Sequence, residues 1–250
     1  MQVNNKYSLA LDYHENSKSL PELLPFDQNI QYKIYPNTKK IQLCKNISIA
    51  ETHENDTFIH FMMSRKSTRA FSEQNLTLAE LSQLLTISCG RLDDPEDGFR
   101  RTYASAGARY PIEVYVVILR SDDLEKGIYH YNVKDNSLEH IKKGDFSNKI
   151  NNFYSNQANH VVSEFPCLIL FSIVFKRSME KYGERGYRFA LLDAGHMSQN
   201  LYLTAAYLNL GIVALGAGGD SDDELDDMIG LLHTAENVFY GFAVGYPKVD

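Results

Sequence analysis

The densest run of residues able to do chemistry is Arg65-Lys66-Ser67-Thr68-Arg69, three cations and two hydroxyls in five positions. Such a run suits a phosphate or another anion, because guanidinium groups offer planar forked donors and short hydroxyls add hydrogen bonds at close range. A solvated basic turn between helices would look the same. A second candidate spans Arg101 to Pro111 (RTYASAGARYP), where Ser105, Ala106 and Gly107 are small enough for a flat ligand to approach the backbone ahead of a strand. A third, GAGGD at Gly216–Asp220, lacks both the GxGxxG spacing and a P-loop lysine, but Gly218 and Gly219 leave room for a planar ring. The fourth is KYGERGYR, with Asp193 and His196 following. Lys181 beside Tyr182 at the mouth of a buried helix can act as a proton-transfer pair once the amine is neutral. Taken alone, Arg101–Pro111 reads better as a tight connection into a buried strand, and KYGERGYR as an ordinary charged helix entry. No histidine or cysteine pair has metal-ligand spacing, and no GxSxG nucleophile elbow is present.

Several elements must position these groups. Phe58 to Arg65 reads as a short helix capped by Asp56 or Thr57. Thr77-x-x-Glu80 is a capping box opening a helix whose Leu78, Leu81, Leu84 and Leu85 share a face, with Gly90 ending it. RLDDPEDGFRR reads as a polar, turn-rich loop. Ile112–Arg120 and Cys167–Phe175 are β-branched, apolar runs expected to be buried strands, and GIYHYNVKDNSLEHI reads as a hairpin turning at Asp135-Asn136. The longest helix is expected from Gly186 to Leu210, apolar on nearly every face and so buried in a core or against a partner. A strand at Gly211–Leu215, an acidic helix with the capping box Ser221-x-x-Glu224 and a strand at Val238–Val244 follow. Strands and helices without regular alternation point to an α+β fold.

The whole chain is consistent with this. Its 250 residues are 44% hydrophobic and 23% charged, a globular composition with enough apolar residues for one large core. Residues 1–55 read as an extended arm and residues 56–250 as the folded domain. A net charge of -7 argues against nucleic-acid binding. Three cysteines without CxxC spacing argue for a reducing compartment, and no export signal or membrane span is recognised, so a soluble cytoplasmic protein is expected.

Together the segments resemble the nitroreductase-type flavoproteins, and within them the SagB-type dehydrogenases that include azoline oxidases. SRKSTRAF resembles the family's Arg-x-Ser-x-Arg flavin motif, RTYASAGARYPIEVYVV its S-A-G-x-x-Y-P segment, GIYHYN its G-x-Y-x-Y strand and LDAGHMSQNLYLTAAYLNLG its central dimer helix. YHENSKS and YKIYP resemble the branch's N-terminal extension, and KYGERGYR its Lys-Tyr motif. The basic tail usual in the family is reduced here to Lys248.

The resemblance implies an α+β, FMN-binding fold, a central mixed sheet flanked by helices, in an intertwined homodimer. It implies that Arg65, Lys66, Ser67 and Arg69 hold the phosphate and ribityl chain, that Ser105, Ala106 and Gly107 line the isoalloxazine from the second subunit, and that Gly218 and Gly219 approach its other edge. The activity it implies is oxidation of a thiazoline or oxazoline to the aromatic azole, with Lys181 and Tyr182 as the base pair and molecular oxygen as electron acceptor. The substrate would be an azoline-containing peptide or a carrier-bound intermediate, with a cyclodehydratase or synthetase complex as partner. An NAD(P)H-dependent nitroreductase or flavin reductase, and a non-catalytic scaffold in a peptide-modifying complex, are the alternatives.

Overall fold

In a computed structural model of the chain, the structure describes residues 32–43, 58–94, 98–154, 165–215, 221–231 and 236–248. The chain order is β1 (Lys40–Gln42), α1 (Phe58–Ser64), α2 (Leu78–Cys89), β2 (Arg91–Asp94), β3 (Gly98–Arg101), a 3-10 turn (Ala106–Ala108), β4 (Ile112–Ile118), β5 (Gly127–Asn132), β6 (Ser137–Lys143), α3 (Ser147–Tyr154), β7 (Cys167–Val174), α4 (Phe175–Tyr182), α5 (Arg185–Tyr207), β8 (Gly211–Leu215), α6 (Ser221–Ile229) and β9 (Glu236–Gly245).

Seven strands form one sheet in the order β1-β6-β5-β4-β7-β9-β8. The α+β class agrees with expectation, but every described pairing is antiparallel where a mixed sheet was expected. β7 and β8 do run the same way, joined through α4 and α5, yet β9 inserts between them and pairs antiparallel with both. Both faces of the sheet are covered, which is why β4 is buried along its whole length. On one face Val114, Val116, Ile169 and Phe242 pack with Leu81, Leu84 and Leu85 of α2 and Met197 and Leu201 of α5. On the other, Tyr115, Val117, Leu168 and Ala243 pack with Ile150 of α3 and Leu225 and Met228 of α6.

The Thr77–Glu80 capping box is formed in both directions, and Gly90 ends α2 with a backbone bond to Thr86. Gly90 is extended rather than left-handed there; it is needed because a Cβ would collide with the Thr86 carbonyl. The β5–β6 hairpin turns through Asn136 at φ 47°.

Three expectations change. RLDDPEDGFRR is not simply a loop: β2 and β3 pair across it as a two-stranded ribbon, with Arg91 lying 4.5 Å over the Phe99 ring and paired to Asp93. A solvent-facing ribbon tolerates polar residues that hide its strand character. Lys181 and Tyr182 do not begin the long helix but end α4; Gly183, at φ 56°, separates it from α5. α5 is not apolar all round either, since it buries Asp193, Ser198 and Thr204 while Leu191 and Leu192 face outward.

The described part of the N-terminal segment packs on the sheet. β1 pairs with β6, the Tyr35 N–H donates to Glu139 at 2.9 Å, and Lys33 reaches Glu236 at 2.6 Å. Among the described residues no helix is long and apolar enough to cross a membrane.

Candidate active site

α5 carries three polar residues on one face, Asp193, His196 and Asn200, at the i, i+3, i+7 spacing that aligns side chains along a helix. All three hold the segment ahead of β4. Asp193 accepts from the Ser105 hydroxyl at 2.5 Å and from the Ala106 N–H at 3.1 Å. His196 Nδ1 donates to the Ala104 carbonyl at 3.0 Å, which leaves its tautomer no other choice, and Asn200 donates to the Thr102 carbonyl at 3.0 Å. Ser105 Oγ in turn accepts from the Tyr110 N–H at 2.9 Å. The held backbone is strained: beside Gly107 at φ 58°, Ala108 and Tyr110 have φ of 54° and 46°. Left-handed non-glycine residues cost about 1–3 kcal/mol each and persist where surrounding contacts enforce them.

Gly107 is the exposed crest of this loop, and Lys181 and Tyr182 of α4 lie against it. A Cβ at Gly107 would collide with the Tyr182 hydroxyl and stand 2.6 Å from Lys181 Nζ. Phe189 of α5 braces the Tyr182 ring edge-on at 4.9 Å. One turn back on α4, buried Arg177 locks helix and loop together. Its guanidinium donates to the Tyr110 carbonyl at 3.2 Å and pairs with Glu113, while its own carbonyl accepts from Arg109 Nε at 2.8 Å.

Glu113 begins a buried polar chain. His130, 1% exposed, lies between Glu113 at 2.8 Å and Glu139 at 3.1 Å. Burial works against the Glu113 carboxylate, but Arg177 first and His130 second hold it well below the usual carboxylate range. Burial likewise opposes charge on His130, and the hydrogen bonds to the two glutamates outweigh it and raise its pKa. Burial pushes the Asp193 carboxyl up, against the pull of its bonds to Ser105 and Ala106. The described thiols, Cys89 and Cys167, are pushed up to about 12 by burial, so neither is a nucleophile near neutral pH.

The cationic run lies toward the other end of α5. Arg65 stacks over the Tyr202 ring at 5.4 Å, Ser67 Oγ is 3.5 Å from the Tyr202 hydroxyl, and that hydroxyl accepts from the Ala214 N–H. The Thr68 N–H donates to the Ile212 carbonyl, closing the free edge of β8. Asp193 and Tyr202 are nine residues apart, roughly 13 Å along the helix axis. None of Arg65, Lys66 and Arg69 has a carboxylate partner among the described residues. The end of the chain returns here: Phe71 bridges Pro247, and the Lys248 N–H bonds to the Ala70 carbonyl at 3.0 Å.

The chain therefore gathers Ser105, Ala106, Gly107, Lys181 and Tyr182 at one place and Arg65 to Arg69 at another. Gly218 and Gly219 lie outside the described residues. The Ser105 hydroxyl is committed to Asp193, which leaves Ala106 and Gly107 as the approachable part of the loop. Sequence reasoning placed Arg177 near Lys181 but missed that it locks helix and loop together, and it missed Tyr202 and the roles of Asp193 and Asn200. Polar residues three and four apart in a mostly apolar helix were the signal for the α5 set.

Residues 62–246 match the nitroreductase family. The chain belongs to that family. Among curated nitroreductase-family relatives, a Methanocaldococcus jannaschii protein named for nitroreductase activity is 33% identical over 161 residues, 64% of this chain and 79% of that protein. The microcin B17-processing protein McbC of Escherichia coli is 30% identical over 144 residues, 56% of this chain and 52% of McbC. The chain thus spans about half the length of McbC. Among solved structures, a chain of the E. coli microcin synthetase McbBCD complex with truncated pro-MccB17 bound superposes with a TM-score of 0.65 at 22% identity, covering 97% of this chain and 92% of that one. The nitroreductase fold is common to both.

Proposed function

We propose that this nitroreductase-family protein is an FMN-dependent dehydrogenase that oxidises a thiazoline or oxazoline in a peptide to the aromatic azole. The observation that carries the reading is the meeting of an amine and a phenol, Lys181 and Tyr182, on the exposed crest of a loop of small residues. An ordinary nitroreductase reaction needs no such pair, whereas aromatising an azoline requires removal of a carbon-bound proton.

The residues fit FMN at both ends. Arg65, Lys66, Ser67 and Arg69 form a cationic cluster without carboxylate partners among the described residues, suited to a phosphate and its ribityl chain. Ala106 and Gly107 leave backbone accessible to a flat ring. Bound FMN would supply a hydride acceptor. The chain's own residues would do the rest: Lys181 would take the proton from the ring carbon, and Tyr182, braced by Phe189, would orient the substrate. Molecular oxygen is the electron acceptor of this reading.

The similarity to McbC, a protein named for processing microcin B17, supports a peptide substrate and the SagB-type branch, and the fold shared with a McbBCD chain supports a synthetase complex as partner. Outward Leu191 and Leu192 support a homodimer in which α5 is a subunit contact. Residues 1–55 would serve as an arm to a 56–250 domain in a cytoplasmic enzyme. The experiment is to purify the protein, record its flavin spectrum and add NAD(P)H. A yellow protein that NAD(P)H bleaches slowly supports the reading; rapid bleaching favours a nitroreductase, and a protein that stays colourless with added FMN refutes it.

A further inference from the structure

Asp193 is 2% exposed in a helix whose neighbouring buried residues, Ala190, Ala194 and Met197, are apolar. It makes no ion pair among the described residues. A buried carboxylate without a cation is expensive unless hydrogen bonds satisfy it. Both of its satisfying bonds go to consecutive residues of one loop, the Ser105 hydroxyl and the Ala106 N–H, 88 and 87 residues away in sequence. Its acceptor-only chemistry matches this pair of donors. The next residues, Gly107, Ala108 and Tyr110, hold left-handed backbone that two of the three disfavour. Ser105 passes the restraint onward, since its oxygen accepts from the Tyr110 N–H while its proton goes to Asp193.

We infer that Asp193 is the positioning residue of this site: it clamps Ser105 and Ala106 so that Gly107, in a left-handed turn whose strain falls on Ala108 and Tyr110, presents its backbone beneath Lys181 and Tyr182. The carboxylate touches neither substrate nor cofactor; it acts through the loop. The consequence for FMN rests on the function proposed above, whereas the clamp itself does not.

The test uses the full-length protein as Asp193→Ala, Asp193→Asn and Ser105→Ala, with two readouts. The first is amide hydrogen exchange without added flavin, and needs no assumption about the cofactor. In Asp193→Ala the protection of Ala106 and Tyr110 should fall roughly 10- to 100-fold, the range for a lost hydrogen bond to a charged group. The β4 and β7 amides should be unaffected. Asp193→Asn keeps one acceptor for the Ala106 N–H and should restore most of that protection. Ser105→Ala should lower protection at Tyr110 even if Asp193→Ala does not fold. The second readout is FMN affinity and the shape of the bound flavin spectrum, which should change in Asp193→Ala and return toward wild type in Asp193→Asn. Unchanged loop protection in Asp193→Ala would overturn the inference, as would equal loss of protection across the whole sheet; should Asp193→Ala not fold, unchanged protection of Tyr110 in Ser105→Ala would overturn it. Wild type that binds no FMN would sink the flavin reading and leave the exchange result standing.

Discussion

Gly107 and Tyr182 are 75 positions apart in the chain, yet the hydroxyl of one occupies the space where a side chain on the other would begin. Gly107 also sits at φ 58°. Two independent constraints therefore disfavour a side chain at this position.

Gly107→Ala should accordingly disable the site without unfolding the protein. The left-handed backbone alone costs an alanine about 1–2 kcal/mol, and the new methyl must displace Lys181 Nζ and the Tyr182 hydroxyl. Turnover should fall at least tenfold while the melting temperature moves by only a few degrees. Kinetics and a thermal melt on the same sample check this; unchanged turnover would separate the loop from the reaction.

The cationic run makes a different prediction. If Arg65 and Arg69 hold a phosphate, Arg65→Ala and Arg69→Ala should each weaken FMN roughly 10- to 100-fold. Riboflavin, which lacks the phosphate, should bind both variants and wild type alike. Flavin fluorescence titrations measure both ligands. An equal loss for riboflavin would move these arginines away from the phosphate.

The buried chain Arg177–Glu113–His130–Glu139 should shape stability against pH. Glu113 and Glu139 titrate below their ordinary value of 4.5, so their stabilisation is present above about pH 4.5 and is lost as pH falls toward their lower folded values. His130 titrates above 6.5, so its contribution is complete below pH 6.5 and is lost as pH rises through the raised value. Melting temperature should peak between those limits. His130→Gln should flatten the alkaline fall, and Glu113→Gln, which strands the buried Arg177 charge, should cost about 3–5 kcal/mol. A His130→Gln profile identical in shape to wild type would contradict this account.

The outward apolar residues Leu191 and Leu192 of α5 and Phe58, Met62 and Met63 of α1 predict a subunit contact. Leu192→Glu should shift the protein toward monomer in light scattering and release bound flavin. A folded, flavin-retaining wild-type monomer at low concentration would rule the shared site out.

Much of this fold was legible because it is written locally. The β-branched runs at Ile112–Ile118 and Cys167–Val174 declare buried strands, the Thr77–Glu80 box declares a helix start, and Asp135-Asn136 declares a turn. The missed elements lack that local signature. β1 is three residues long, the β2–β3 ribbon is polar because it faces solvent, and α3 has few apolar residues. Lys181, Tyr182 and the small-residue loop were recognised from motif resemblance. The contacts that support them were not, because Asp193 reaches Ser105, and Arg177 reaches Glu113, across spans that no local pattern encodes.

Mass spectrometry of a thiazoline-containing peptide, incubated in air with the FMN-loaded protein, reads out whether Lys181 and Tyr182 take a proton from an azoline while FMN accepts the hydride. Wild type should convert it to a product lacking two hydrogen atoms. Lys181→Ala and Tyr182→Phe should retain flavin absorbance yet lose about 10²- to 10⁴-fold in rate, the range for a general acid–base group. Near-normal conversion by both variants at normal flavin content would contradict the account.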